Sequence, residues 1–136
     1  MLPGAVIDVA SLVGETRAAL RASQERLHED YRRSNSATAL LRGRARAVDH
    51  ALRKLWRALA MPAELALVAV GGYGRRELYP ASDVDLLFLV PEGFTGQARL
   101  EPLIGLLWDI GLDVGHSVRS VAECLAQGGQ DITIQT

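Results

Sequence analysis

The chain has one cysteine in 136 residues, Cys124, so an internal disulfide framework is excluded. It also lacks an excess of either charge. Fifteen basic and 16 acidic side chains leave a formal net charge of -1, which gives no overall electrostatic case for nucleic acid or for an anionic membrane; any anion site must be local. No uninterrupted apolar stretch approaches the roughly 20 residues needed to cross a bilayer. The opening Met-Leu-Pro-Gly-Ala-Val-Ile-Asp has no basic leader and only a brief apolar run, so it does not read as a signal peptide. With the lone cysteine, this sets the expectation of a cytoplasmic protein. No internal repeat or low-complexity tract occurs. Hydrophobic residues make up 49% and charged ones 23%, the balance of a soluble domain long enough to bury a core.

What is present is ordered along the chain. Val13, Thr16, Leu20, Ser23 and Leu27 recur at helical spacing, predicting an amphipathic helix over about Ser11 to Tyr31. The polar run Arg32-Arg33-Ser34-Asn35-Ser36 interrupts it and offers N-cap residues for a second helix. In that helix Leu41, Ala45, Val48, Leu52, Leu55 and Leu59 form an apolar stripe, widened by Trp56. Arg42, Arg44, Arg46, Arg53, Lys54 and Arg57 fill the other positions, either as a solvated face or as a dock for an acidic partner or a phosphate. Met61-Pro62 ends the helix. Leu65 to Val70 and Val84 to Val90 read as buried strands, Leu100 to Ile110 as a helix closed by Gly111, and Leu112 to Val118 as a third strand. Ser120 and Glu123 match a capping box that starts a short last helix, which Gly128-Gly129 ends. The predicted order is α-α-β-β-α-β-α: residues 1–34 form an N-terminal helical segment and 35–136 a mixed α/β (α+β) domain with a small sheet flanked by helices. Asp131 to Thr136 stop without a finished element, so the expectation is a fragment.

The chemistry gathers between Leu67 and Val90. Gly71, Gly72 and Gly74 let the backbone turn tightly and come close to a bulky anion. A helical turn over Tyr73 to Leu78 would point its free N–H groups at a phosphate, with Arg75 and Arg76 adding charge-assisted bonds; the alternative is a plain tight turn after a strand. A dinucleotide fingerprint is excluded because Glu77 stands where its third glycine belongs, and no Gly-Lys-Ser/Thr of a Walker loop follows. Ten residues separate Gly72 from Asp83. Asp83 and Asp85 open the second strand at i and i+2 and so share one face, where their repulsion needs a neutralising divalent cation. Such an Asp-x-Asp pair can share two hard cations, the arrangement of two-metal nucleotidyl transfer. Asp113 on the third strand is the candidate third carboxylate, and Asp109 its competitor. Ser82 contacts phosphate or shapes the turn. His116 lines the cleft or is a hydrogen-bonded structural residue. Tyr73, Tyr79, Trp56 and Trp108 read as packing residues.

Two segments carry a resemblance. Gly71-Gly-Tyr-Gly-Arg-Arg-Glu-Leu-Tyr-Pro-Ala-Ser-Asp-Val-Asp-Leu-Leu87 and Leu106-Leu-Trp-Asp-Ile-Gly-Leu-Asp-Val-Gly-His-Ser-Val-Arg119 are similar to the N-terminal catalytic domain of the bacterial PII uridylyltransferase/uridylyl-removing enzymes, of the DNA polymerase β-like nucleotidyltransferase superfamily. The match covers about residues 35–136. It implies transfer of UMP from UTP to a tyrosine hydroxyl of the PII signalling protein, with release of pyrophosphate and magnesium at Asp83, Asp85 and Asp113, in nitrogen regulation. It also implies that uridylyl removal and glutamine sensing reside in further domains. The chain departs from the family's pattern at Arg76, where glycine is usual, and at Tyr79, where histidine or another aromatic is. Adenylyl transfer to an acceptor such as glutamine synthetase, or a catalytically silent binding module, are the competing expectations.

Overall fold

The computed structural model describes residues 8–80 and 82–128. The predicted last residues, Asp131 to Thr136, and Gly129 lie outside them. The first helix, α1 (Val9–Ser34), is longer than its apolar stripe, because both ends are capped. The Asp8 carboxylate accepts from the Ser11 N–H, and Asn35 takes the left-handed conformation (φ 60) that closes the C-terminus. One residue later Ser36 caps α2 (Ala37–Ala58) by accepting from the Ala39 N–H at 3.2 Å. Adjacent capping signals thus fold α1 and α2 into a hairpin. Its apolar sides meet across Leu20, Ala45, Val48, Leu52 and Leu55, all buried. The helix ends at Ala58, before Met61-Pro62, with Ala60 left-handed (φ 48).

The sheet has three strands in the order β1 (Ala66–Ala69), β2 (Val84–Val90), β3 (Val114–Ser120). β1 runs antiparallel to β2, with Ala69 opposite Leu86. β3 runs parallel to β2, with Asp85 opposite Gly115. A parallel neighbour needs a crossover, and α4 (Glu101–Asp109) supplies it, followed by Gly111 at φ +97, the left-handed stop that glycine accepts without cost. The last helix, α5 (Val121–Gly128), opens with a closed capping box: the Ser120 N–H donates to Glu123 Oε1 at 2.9 Å and the Glu123 N–H to Ser120 Oγ at 3.2 Å. The structure is therefore of the α+β class, a small mixed sheet with helices around it.

The core lies where β2 meets α2 and α4. Val84, Leu86, Phe88 and Val90 are buried in one cluster with Val48, Leu52 and Leu55 of α2 and Leu103 and Leu107 of α4. Two aromatic residues depart from expectation. Trp108 is 52% exposed and Tyr79 56% exposed, so neither is core. α4 buries Leu103, Leu106 and Leu107, and position 108 falls one residue, about 100°, beyond that stripe. Trp56 is half-buried, and only Tyr73 among these aromatics is fully packed.

Candidate active site

The antiparallel β1 ends where the parallel β2 and β3 begin, so three different segments converge at one end of the sheet. The glycine turn leaves β1 there, Asp83 precedes β2 by one residue, and Asp113 precedes β3 by one residue. The Val84 N–H donates to the Asp113 carbonyl at 2.8 Å, and the Val70 N–H donates to the Asp85 carbonyl at 3.1 Å, which stitches the segments together.

Asp85 sits in the middle. A Cβ built on Gly71 would lie 2.7 Å from Asp85 Oδ2, and one built on Gly115 would lie 3.0 Å from Asp85 Oδ1. Both glycines are thus required by the space that the carboxylate occupies. Gly71 is also left-handed (φ +61), which favours glycine independently. The role of Gly115 was invisible before the strands were paired; its only sequence sign was a glycine in a strand, which marks close approach. Asp83, two residues earlier and just ahead of β2, is exposed, as is Asp113. Among the described residues no three histidine, cysteine, aspartate or glutamate side chains are grouped to hold a metal ion, so the three acids share an end of the sheet without closing into one cluster.

The helical turn after β1 is α3 (Gly71–Gly74), two residues ahead of the turn expected over Tyr73 to Leu78. It is a single turn. The N–H groups of Gly74 and Arg75 donate to Val70 and Gly71 carbonyls, and that of Glu77 returns to Gly72 at 2.9 Å. Those of Gly71, Gly72 and Tyr73 open the helix, where no intrahelical acceptor exists. The Arg75 guanidinium lies near Gly72 and pairs with Glu77 at 3.9 Å; both are half-exposed, so the pair is weak and can exchange for a stronger anion. Ser82 is exposed, and its N–H donates to Tyr79 at 3.0 Å, so it shapes the turn before β2.

Two residues of α2 brace this region: Arg44, which the sequence offers only as one cation of a helix face, and Asp49, which has no sign of a role there. The Asp49 carboxylate accepts from the Tyr73 hydroxyl with one oxygen and from the Arg76 guanidinium with the other. Burial, with this hydrogen bond and the Asp49 charge, pushes the Tyr73 hydroxyl well above the usual phenol range. Arg76 adopts φ 63, the conformation for which glycine is the usual residue. The ion pair to half-buried Asp49 supplies an interaction that glycine lacks and offsets the backbone cost, on the order of 1 kcal/mol. Arg44 donates from Nε to the Leu78 carbonyl at 3.1 Å and from a terminal nitrogen to the Pro80 carbonyl at 3.4 Å, holding the loop that delivers Asp83. Its partial burial lowers its pKa.

Two further candidates separate from the site. His116 pairs with Leu86 in the parallel register, on the face opposite Asp85, and meets Phe88 edge-on at 6.2 Å between ring centroids. Asp109 is exposed at the end of α4, where its carbonyl accepts from Arg17 of α1. Among the described residues no helix is long and apolar enough to cross a membrane.

Sequence comparison gives a consistent set of relatives. The chain is 49% identical over 130 residues to a bifunctional uridylyltransferase/uridylyl-removing enzyme of Aromatoleum aromaticum, covering 94% of this chain and 15% of that protein. Proteins of the same name from Nitrosospira multiformis and Burkholderia lata are 48% and 45% identical over 128 and 122 residues, each covering 88% of this chain and 14% of the relative. The chain therefore spans about one seventh of the length of the curated relatives it matches. No family model matches it, and no solved structure does.

Proposed function

We propose that this chain, which belongs by sequence with the bifunctional uridylyltransferase/uridylyl-removing enzymes over about one seventh of their length, is the part that performs nucleotidyl transfer. The transfer moves UMP from UTP to a tyrosine hydroxyl of the PII signalling protein and releases pyrophosphate, as a step in nitrogen regulation. The fold is that of a DNA polymerase β-like nucleotidyltransferase. The observation that carries this reading is the Asp85 carboxylate seated between Gly71 and Gly115, one strand position pair from Asp83 and directly beside the glycine turn.

The donor set suits magnesium, since Asp83 and Asp85 offer hard carboxylate oxygens two residues apart at the head of β2, and Gly71 and Gly115 give the Asp85 carboxylate room to sit there. Asp83 and Asp85 would hold the cation, with Asp113 as the third acid. Bound there, magnesium would offset the charge of the triphosphate and of the departing pyrophosphate. The chain's own contribution is positioning. The free N–H groups that open α3 and the Arg75 guanidinium orient phosphate oxygens, Gly72 and Gly74 allow the approach, and Ser82 shapes the rim. Asp113, the third acid at this end of the sheet, would accept the proton of the attacking hydroxyl. Asp49 and Arg44 keep the turn and the loop in register.

The test is transfer of label. The chain and the full-length protein that contains it are incubated with magnesium, radiolabelled UTP or ATP, and PII protein. Label from UTP appearing on PII with the full-length protein is the expected result. Label from ATP would instead point to adenylyl transfer, and label from neither to a silent module.

A further inference from the structure

Away from the glycine turn, α1 and α2 flank an open groove of about 460 Å³. Its floor is small: Thr16, Ala19 and Ser23 of α1 face Ala47 and Ala51 of α2. At one end the helices touch, because Gly43 leaves room for Leu27; a Cβ on Gly43 would lie 2.3 Å from Leu27 Cδ2. The rim is basic. Arg46, His50 and Lys54 follow at four-residue spacing and so form one ridge of α2, and Arg26 stands across from them on α1. The described residues that line the groove include no acid. Glu15 meets Lys54 at 3.7 Å in a solvent-exposed pair of little strength. Thr16 is 2% exposed, and among the described residues its Oγ1 has no hydrogen-bond partner. A buried hydroxyl without a partner is costly unless something else completes it.

A groove of ligand size, cationic at the rim and lined by small side chains, suits a compact polyanion. Arginine and lysine together select phosphate oxygens, through the planar fork of the one and the point charge of the other. We infer that the groove between α1 and α2 is a second anion site, which takes a small molecule carrying several phosphates and is separate from the acid pair. The anion docks on Arg26, Arg46 and Lys54, all of which remain accessible to it. The site needs no divalent cation, because the protein itself supplies the positive charge.

The experiment is calorimetric titration of tripolyphosphate into the chain, in EDTA at physiological ionic strength. Wild-type chain and the variants Arg46→Gln with Lys54→Gln, Ala19→Glu, and Asp83→Asn with Asp85→Asn are compared, each checked for an unchanged helical circular dichroism signal. Ala19 is exposed, so its replacement adds a carboxylate to the groove without disturbing the core. Binding that falls roughly tenfold or more in both groove variants, and is retained in the aspartate variant, is the expected result. No binding by the wild-type chain, or groove variants that bind as wild type does, would overturn the inference. UTP titrated into the same series identifies the source: groove-dependent affinity above that of tripolyphosphate indicates a nucleotide, and equal affinity a free polyphosphate.

Discussion

The two faces of β2 differ in almost every respect. On one, Val84, Leu86, Phe88 and Val90 are at most 8% exposed and lock into α2 and α4. On the other lie Asp85, Leu87 and Leu89, of which only Leu87 is buried, and Asp83 stands just before them, in the open. One strand thus divides its work by the alternation of its side chains. The packed face holds the strand rigidly in place. The open face can therefore carry two like charges that would otherwise have no structural justification. Stability and chemistry are neighbours in sequence and opposites in space.

That division can be broken from either side. If the proposed function holds, replacing Asp83 and Asp85 together by asparagine in the full-length protein should abolish label transfer to PII, a loss of about 10³-fold or more, because the proposed cation ligands go. The melting temperature should hold or rise slightly as the repulsion is relieved. A double variant that still labels its partner would sink the assignment. Phe88→Ala should do the reverse, costing about 3–5 kcal/mol in denaturant unfolding, since its ring is fully buried against the helices. Gly115→Ala sharpens the boundary: the new methyl group would fall 3.0 Å from Asp85 Oδ1, so transfer should drop about tenfold to a hundredfold while the fold survives. A smaller effect concerns Tyr73. Its hydroxyl titrates above the ordinary value of 10.0, so over the window above that pH the unfolded chain loses a proton that the folded chain keeps. Stability should therefore decline as pH rises past about 10, and Tyr73→Phe should flatten that decline in a pH series of thermal melts. The smallest effect is expected at α5, where Ser120→Ala removes one half of the capping box and should cost about 1 kcal/mol, read as faster amide exchange in that helix.

Much of this was legible because it depends on neighbours along the chain. The bounds of β2, the existence of a break before Ser36, expected from Arg32 and found only at Asn35, the Gly111 stop and the reciprocal Ser120 and Glu123 cap all rest on contacts within a few residues. The misplacements have one cause. Trp108 looked like core because it is apolar and lies beside a stripe, yet which side of α4 is covered depends on what packs there. The helical turn fell at Gly71 rather than Tyr73 because the segment leaving the preceding strand is held at Val70 by Asp85, a contact with a residue fifteen positions away. Asp49 and Arg44 were lost among the charges of a helix face, and their partners lie 24 to 36 residues distant.

By itself the sequence determined the kinds of element and their caps, and set Asp83 and Asp85 two residues apart at the head of one strand, since helical and strand periodicity and capping act locally. Only the tertiary structure decided that β3 lies parallel to β2, that Gly115 clears space for Asp85, that Asp49 compensates a left-handed Arg76, and that two helices leave a basic groove between them. Each of those depends on which distant surfaces exclude water from one another, and that follows from packing the whole chain at once.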